Sequence, residues 1–81
     1  MKYFQLENTL YAYDVDNYFT AQYQNGEWEN SDESYETLFR NYSTKQCVPV
    51  DERSALELTQ GKNVFDLFES YLTFIGREIW N

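Results

Sequence analysis

As far as Glu29, apolar and polar positions alternate; beyond Asn30 they recur every three to four residues. A period of two marks strands and a period near 3.6 marks helices. Tyr3-Phe4-Gln5-Leu6 and Leu10-Tyr11-Ala12-Tyr13 are aromatic-rich runs separated by Glu7-Asn8-Thr9, the pattern of a hairpin. Phe4 and Leu6 share one side of the first run. Leu10 and Ala12 share one side of the second, with Tyr11 and Tyr13 on the other. After the polar break Asp14-Val15-Asp16-Asn17, a third strand runs from Tyr18 to Gln24 with Phe19, Ala21 and Tyr23 on one side. Asn25-Gly26 suits a type I′ turn, since both residues tolerate positive φ. Glu27-Trp28-Glu29 returns as a short fourth strand, its carboxylates on one side and Trp28 on the other.

Asn30 and Glu33 have the spacing of a capping box, with Asp32, Glu33 and Glu36 in the first turns, where the helix dipole favours negative charge. Tyr35, Leu38, Phe39 and Tyr42 then recur on one helical face. Ser43–Val50 is a connection with the only proline, Pro49, and room for a short extended piece. Asp51 caps a second short helix with Ala55, Leu56 and Leu58, and Gly61 stops it. Asn63 caps a last helix reaching about Trp80. Its polar residues Asp66, Glu69, Ser70, Thr73, Gly76 and Arg77 form one narrow stripe, and apolar residues cover the rest of its circumference. The expectation is one α+β domain over residues 1–81: a four-stranded antiparallel meander followed by two or three helices on one face. Such a helix needs cover on several sides. A symmetric homodimer joined through Phe65, Phe68, Leu72, Ile75 and Ile79 would supply it.

Charge adds a second division. Between Lys2 and Arg40 there is no basic residue, while Glu7, Asp14, Asp16, Glu27, Glu29, Asp32, Glu33 and Glu36 are all acidic. The rest of the chain is nearly balanced, and the total is −8. Nucleic acid and anionic membranes are poor partners for such a molecule; a basic protein surface is a good one. No apolar run reaches the ~18 residues that span a membrane. No signal-peptide pattern precedes the first strand, so a cytoplasmic protein is expected.

The chain has no histidine and one cysteine, Cys47. The commonest general base and the commonest metal ligand are therefore missing, and no internal disulfide can form. Asp14-x-Asp16 begins like a calcium loop, but Tyr18 and Phe19 stand where further ligands and glycine belong. Those aspartates read as caps of their own turn. The Asn41-Tyr42-Ser43 sequon reads as chance in a chain without a secretory signal. No metal, cofactor or catalytic residue is expected, and the chain reads as a binding protein.

The acidic, tyrosine-bearing half is the candidate site. Carboxylates on alternate strand residues lie about 6.6 Å apart. Extended by a helix start, they can imitate a row of phosphates for a groove built to bind nucleic acid. Exposed tyrosines add stacking area of the kind bases offer. Glu27, Glu29, Asp32, Glu33 and Glu36 are the main expected contacts, with Asp14 and Asp16 next. In length, charge and lack of catalytic residues the chain resembles the small acidic anti-restriction and anti-CRISPR inhibitors of phages and prophages. That resemblance implies a DNA-mimic inhibitor of a nucleic-acid-binding host defence protein, acting in the bacterial cytoplasm. Met1–Asp14, ending Tyr11-Ala12-Tyr13-Asp14, is similar to the opening of some phage tail-fibre assembly proteins. It implies an alternative, an assembly or adaptor module acting through its apolar C-terminal helix. Neither resemblance carries functional residues over to this chain.

Overall fold

The computed structural model describes residues 1–43 and 45–80, the side chains of 76–80 apart. Its elements in chain order are β1 (Lys2–Leu6), β2 (Thr9–Asp14), β3 (Phe19–Gln24), β4 (Glu27–Asn30), α1 (Tyr35–Asn41), β5 (Cys47–Val50), α2 (Glu52–Leu58) and α3 (Phe65–Trp80). The α+β class and the antiparallel meander are as expected. The sheet has five strands rather than four, in the order β4-β3-β2-β1-β5. The extra strand is the extended piece around Pro49, which pairs antiparallel with β1 at the sheet edge. An edge is where a residue without an N–H is tolerated.

Turn chemistry sets the meander. Asn25 and Gly26 take φ of 56° and 79°, both positive as a type I′ turn requires. Register then sorts the residues. Tyr3 pairs with Ala12, which pairs with Ala21, while Phe4 pairs with Tyr11, which pairs with Gln22. Each pair of partners points to the same side of the sheet, so the two rows lie on opposite faces.

Both faces are apolar along β1 and β2, and the helices divide between them. The one-face expectation is corrected on this point. On the first face Tyr3, Leu10, Ala12, Phe19 and Ala21 form a core with Ala55 of α2 and Val64, and Phe65, Leu67, Phe68 and Tyr71 of α3 pack against it. The Phe19 ring lies 4.9 Å from that of Phe68 and 5.1 Å from that of Tyr71. Truncating such a ring to alanine costs about 3–5 kcal/mol. On the second face Phe4, Leu6 and Cys47 pack with Leu38 of α1. The sheet thus covers one side of α3, while Leu72 and Phe74 stay exposed.

The helix starts show which caps compete successfully. Asp51 accepts from the Ser54 backbone N–H at 2.7 Å, and Asn63 accepts from that of Phe65 at 2.8 Å. The bond from the Ser54 backbone holds the Asp51 carboxyl below its ordinary value. α1, however, starts at Tyr35 and not at the Asn30–Glu33 pair. Its cap is Ser34, which accepts from the Thr37 N–H. Asn30 belongs to β4, and Ser31 N–H donates to the Thr20 carbonyl at 3.0 Å, prolonging the ladder past the expected cap. Gly61, at φ 82°, ends the turn after α2 and donates to Leu56 O at 2.7 Å.

Candidate acidic surface

α1 covers only a portion of the second sheet face. Beside it a row of Glu29, Gln22 and Tyr11 crosses three strands and ends on the buried Phe4. Glu29 Oε1 accepts from Gln22 Nε2 at 2.8 Å, and the same amide donates to Gln24 Oε1 at 2.9 Å. Glu27 pairs with Gln24 on this face, so its carboxylate and that of Glu29 stand side by side, about 6.6 Å apart by strand geometry. Phe4 stacks on Tyr11 with ring centroids 5.0 Å apart and an interplanar angle of 10°. The Tyr11 hydroxyl is pushed above its ordinary value by burial first, then by the charges of Glu33 and Glu7 and by its neighbours Tyr42 and Cys47.

Of the seven expected contact residues, Glu27 and Glu29 stand on the sheet face that carries Gln22 and Tyr11, while Glu33 is exposed in the segment between β4 and α1 and its charge acts on the Tyr11 hydroxyl. Glu36 lies in the first turn of α1, exposed, and acts with burial to raise the hydroxyl of Tyr35. Asp32 is exposed but lines a groove against α3. Asp14 and Asp16 lie at the β2–β3 turn beside Met1 and Lys2, away from this surface. There the Asp14 carboxylate accepts from Asp16 N at 3.3 Å and from Asn17 Nδ2 at 2.8 Å, as a turn-capping aspartate does. Glu7 was missed because it is remote in sequence from residues 27–36. The β1–β2 hairpin brings its charge to bear on Tyr11.

No acid of the first half is in an ion pair among the described residues; the pair that forms is Arg53 with Glu57 at 3.8 Å, on the exposed side of α2. No group of three acidic or cysteine side chains among the described residues is arranged to hold a metal ion. Cys47 is buried on the second face, and burial raises its thiol above the ordinary value. A buried, protonated thiol is a poor nucleophile. No described helix is long and apolar enough to cross a membrane.

The surfaces expected for self-association are divided by the fold. Phe65 and Phe68 pack toward the sheet. Leu72 is 38 % exposed, and Ile75 is half-buried. The side chain of Ile79 lies outside the described residues. Compared with protein-family models, curated proteins and solved structures, the chain matches none.

Proposed function

We propose that this chain is a non-catalytic, phage-encoded inhibitor that binds a basic, nucleic-acid-binding surface of a bacterial host defence protein. The observation that carries the reading is the open sheet face on which Glu27 and Glu29 stand with Gln22 and Tyr11, with the charge of Glu33 acting on the Tyr11 hydroxyl. Its carboxylates are exposed and free of ion pairs among the described residues. They stand on a hydrogen-bonded scaffold, so the backbone need not be ordered on binding and the cost is confined to the glutamate side chains. A groove that binds phosphates by releasing counterions gains the same release from a row of carboxylates. The bacterial cytoplasm is where such a partner resides.

The test is capture from bacterial lysate at low salt, followed by challenge with duplex DNA. A bound partner is expected to leave on addition of DNA or of high salt. It should also fail to bind a chain carrying Glu27→Gln, Glu29→Gln and Glu33→Gln. A partner that stays bound in excess DNA overturns the mimicry.

The alternative, an assembly or adaptor module, is favoured by one observation: Leu72 and Phe74 of α3 are exposed beyond the edge of the core. On that reading Leu72→Asp abolishes partner binding while the three glutamine substitutions leave it intact. Phe68 is unsuited to this comparison, because its ring is packed on Phe19 and a polar replacement damages the fold.

A further inference from the structure

Tyr18 is held in an unusual state. Its φ is 52°, in the left-handed region that bulky residues avoid, and its side chain is 69 % exposed. The backbone beneath it is pinned from behind: the Tyr71 hydroxyl approaches the carbonyl oxygen of Asn17 at 2.8 Å and that of Tyr18 at 3.2 Å, with one proton to share between them. The Tyr18 ring rests on Tyr35, centroids 6.4 Å apart and planes inclined by 29°. A large ring is thus fixed in solvent by a disfavoured backbone, with no core to fill. Retained strain of this kind is a reason to look for a ligand.

Tyr18 borders a groove of about 430 Å³ between β3, the segment that leads out of β4, and α3. Phe74, 60 % exposed, also lines it. Tyr71 contributes to the lining, and Asn30, Ser31 and Asp32 supply polar groups. Asp32 carries the only charge among the described lining residues, and its carboxylate is in no ion pair among the described residues. The volume falls within the range of small-ligand sites.

We propose that this groove seats the guanidinium of an arginine presented by a basic partner protein. A planar, weakly hydrated cation stacks on aromatic faces and donates two parallel hydrogen bonds to a carboxylate. Tyr18 and Phe74 offer the faces, and Asp32 offers the acceptor. Lysine offers a compact, strongly hydrated charge that stacks less well. An apolar side chain displaces water from the Asp32 carboxylate without replacing its hydrogen bonds. A phosphate or nucleic acid meets Asp32 and a molecule of charge −8. A second copy of the chain brings −8 against −8.

The inference deepens the inhibitor reading by naming a group on its partner, yet it stands on different residues from the open sheet face. The test therefore uses a small probe. The isotopically labelled 81-residue protein is titrated with N-acetyl-arginine methylamide, and separately with the lysine and leucine analogues, while amide chemical shifts are followed. Saturating shifts at Tyr18, Asp32 and Phe74 are expected with arginine, with affinity at least about threefold above lysine. Leucine should not saturate. Asp32→Asn and Tyr18→Ala should each weaken arginine binding at least about threefold. Equal shifts from arginine and lysine overturn the proposal, and so do saturation by leucine or shifts confined to Glu27, Glu29 and Glu33. Groove signals that move with protein concentration alone mean that a second copy sits there, which also overturns it. Failure of the DNA challenge leaves this titration unchanged, so the two readings fail separately.

Discussion

The hydroxyl oxygen of Thr20 accepts a hydrogen bond from the backbone N–H of Tyr35 at 2.9 Å, and both residues are buried. One strand side chain thereby fixes where α1 begins. α1 has seven residues, too few to be helical without tertiary support. Thr20→Val keeps the shape and removes the acceptor, leaving the Tyr35 N–H without a partner. The expected cost is about 1–3 kcal/mol. Urea unfolding should show a lower midpoint with an unchanged slope. An unchanged midpoint would mean that water or a shifted cap replaces Thr20.

Strain at Tyr18 gives a comparative prediction. A left-handed conformation costs an L-residue roughly 1–2 kcal/mol, and glycine escapes it at an entropic cost of about 0.5–1 kcal/mol. Tyr18→Gly should therefore be more stable than Tyr18→Ala by up to about 1 kcal/mol, both variants having lost the ring and its packing on Tyr35. Tyr18→Ala keeps the strain and loses the ring. Thermal melts of the two variants should diverge, with glycine the more stable. If alanine is equal or better, the φ of 52° is not a source of strain.

The features legible in the sequence were those decided locally. Asn25-Gly26, the Asp51 and Asn63 caps and Gly61 act through their own backbone, so their residue types announce them. The start of α1 was not legible, because Asn30, Ser31, Asp32 and Ser34 are all capping residue types. The choice among them falls to Thr20, fourteen residues before Ser34, which reaches Tyr35 through the sheet. The two-sided sheet had a readable signal: Leu10 and Ala12 point one way and Tyr11 and Tyr13 the other, so both faces needed cover. β5 had a weaker one, since Pro49 suits only an edge. At the candidate site, Glu27 and Glu29 were visible from alternation. Glu7 and Glu33 act on Tyr11 only through the hairpin and the loop path. The groove at Tyr18 joins residues from three separate stretches of the chain and had no sequence signature.

Three of the eight tyrosines, Tyr3, Tyr11 and Tyr35, have hydroxyls held above the ordinary phenol value. Tyr3 is raised above the ordinary 10.0 by burial and then by Glu52. Tyr11 is raised by burial and then chiefly by Glu33, and Tyr35 by burial and then chiefly by Glu36. A folded-state pKa above the unfolded one means that folding favours the neutral phenol. The associated stability is complete below pH 10 and is lost as pH climbs through the raised values. Residue-resolved titration should therefore find the Tyr3, Tyr11 and Tyr35 hydroxyls ionising above 10.0. Glu33→Gln should bring Tyr11 back toward the ordinary value. Ionisation of these three at or below 10.0 in the folded chain would contradict these placements.

Self-association depends on how much of α3 the sheet leaves free. Phe65 and Phe68 are turned to the core, so Leu72 and the exposed portion of Ile75 remain of the expected contact among the described side chains. A stable protein–protein contact buries about 1,200–2,000 Å² in total, far more than these residues supply. Two subunits of −8 also repel each other. The Debye length falls from about 10 Å at 0.1 M salt to about 3 Å at 1 M, so screening removes the repulsion while leaving apolar contact intact. The chain is thus expected to sediment as a monomer at low salt and to pair weakly through α3 as salt rises. Leu72→Glu should hold it monomeric throughout, and the exposure of Leu72 lets the fold accept that change. A dimer that dissociates as salt rises would sink this account, because it would be held by ion pairs. A monomer at every salt concentration would equally refute pairing through α3.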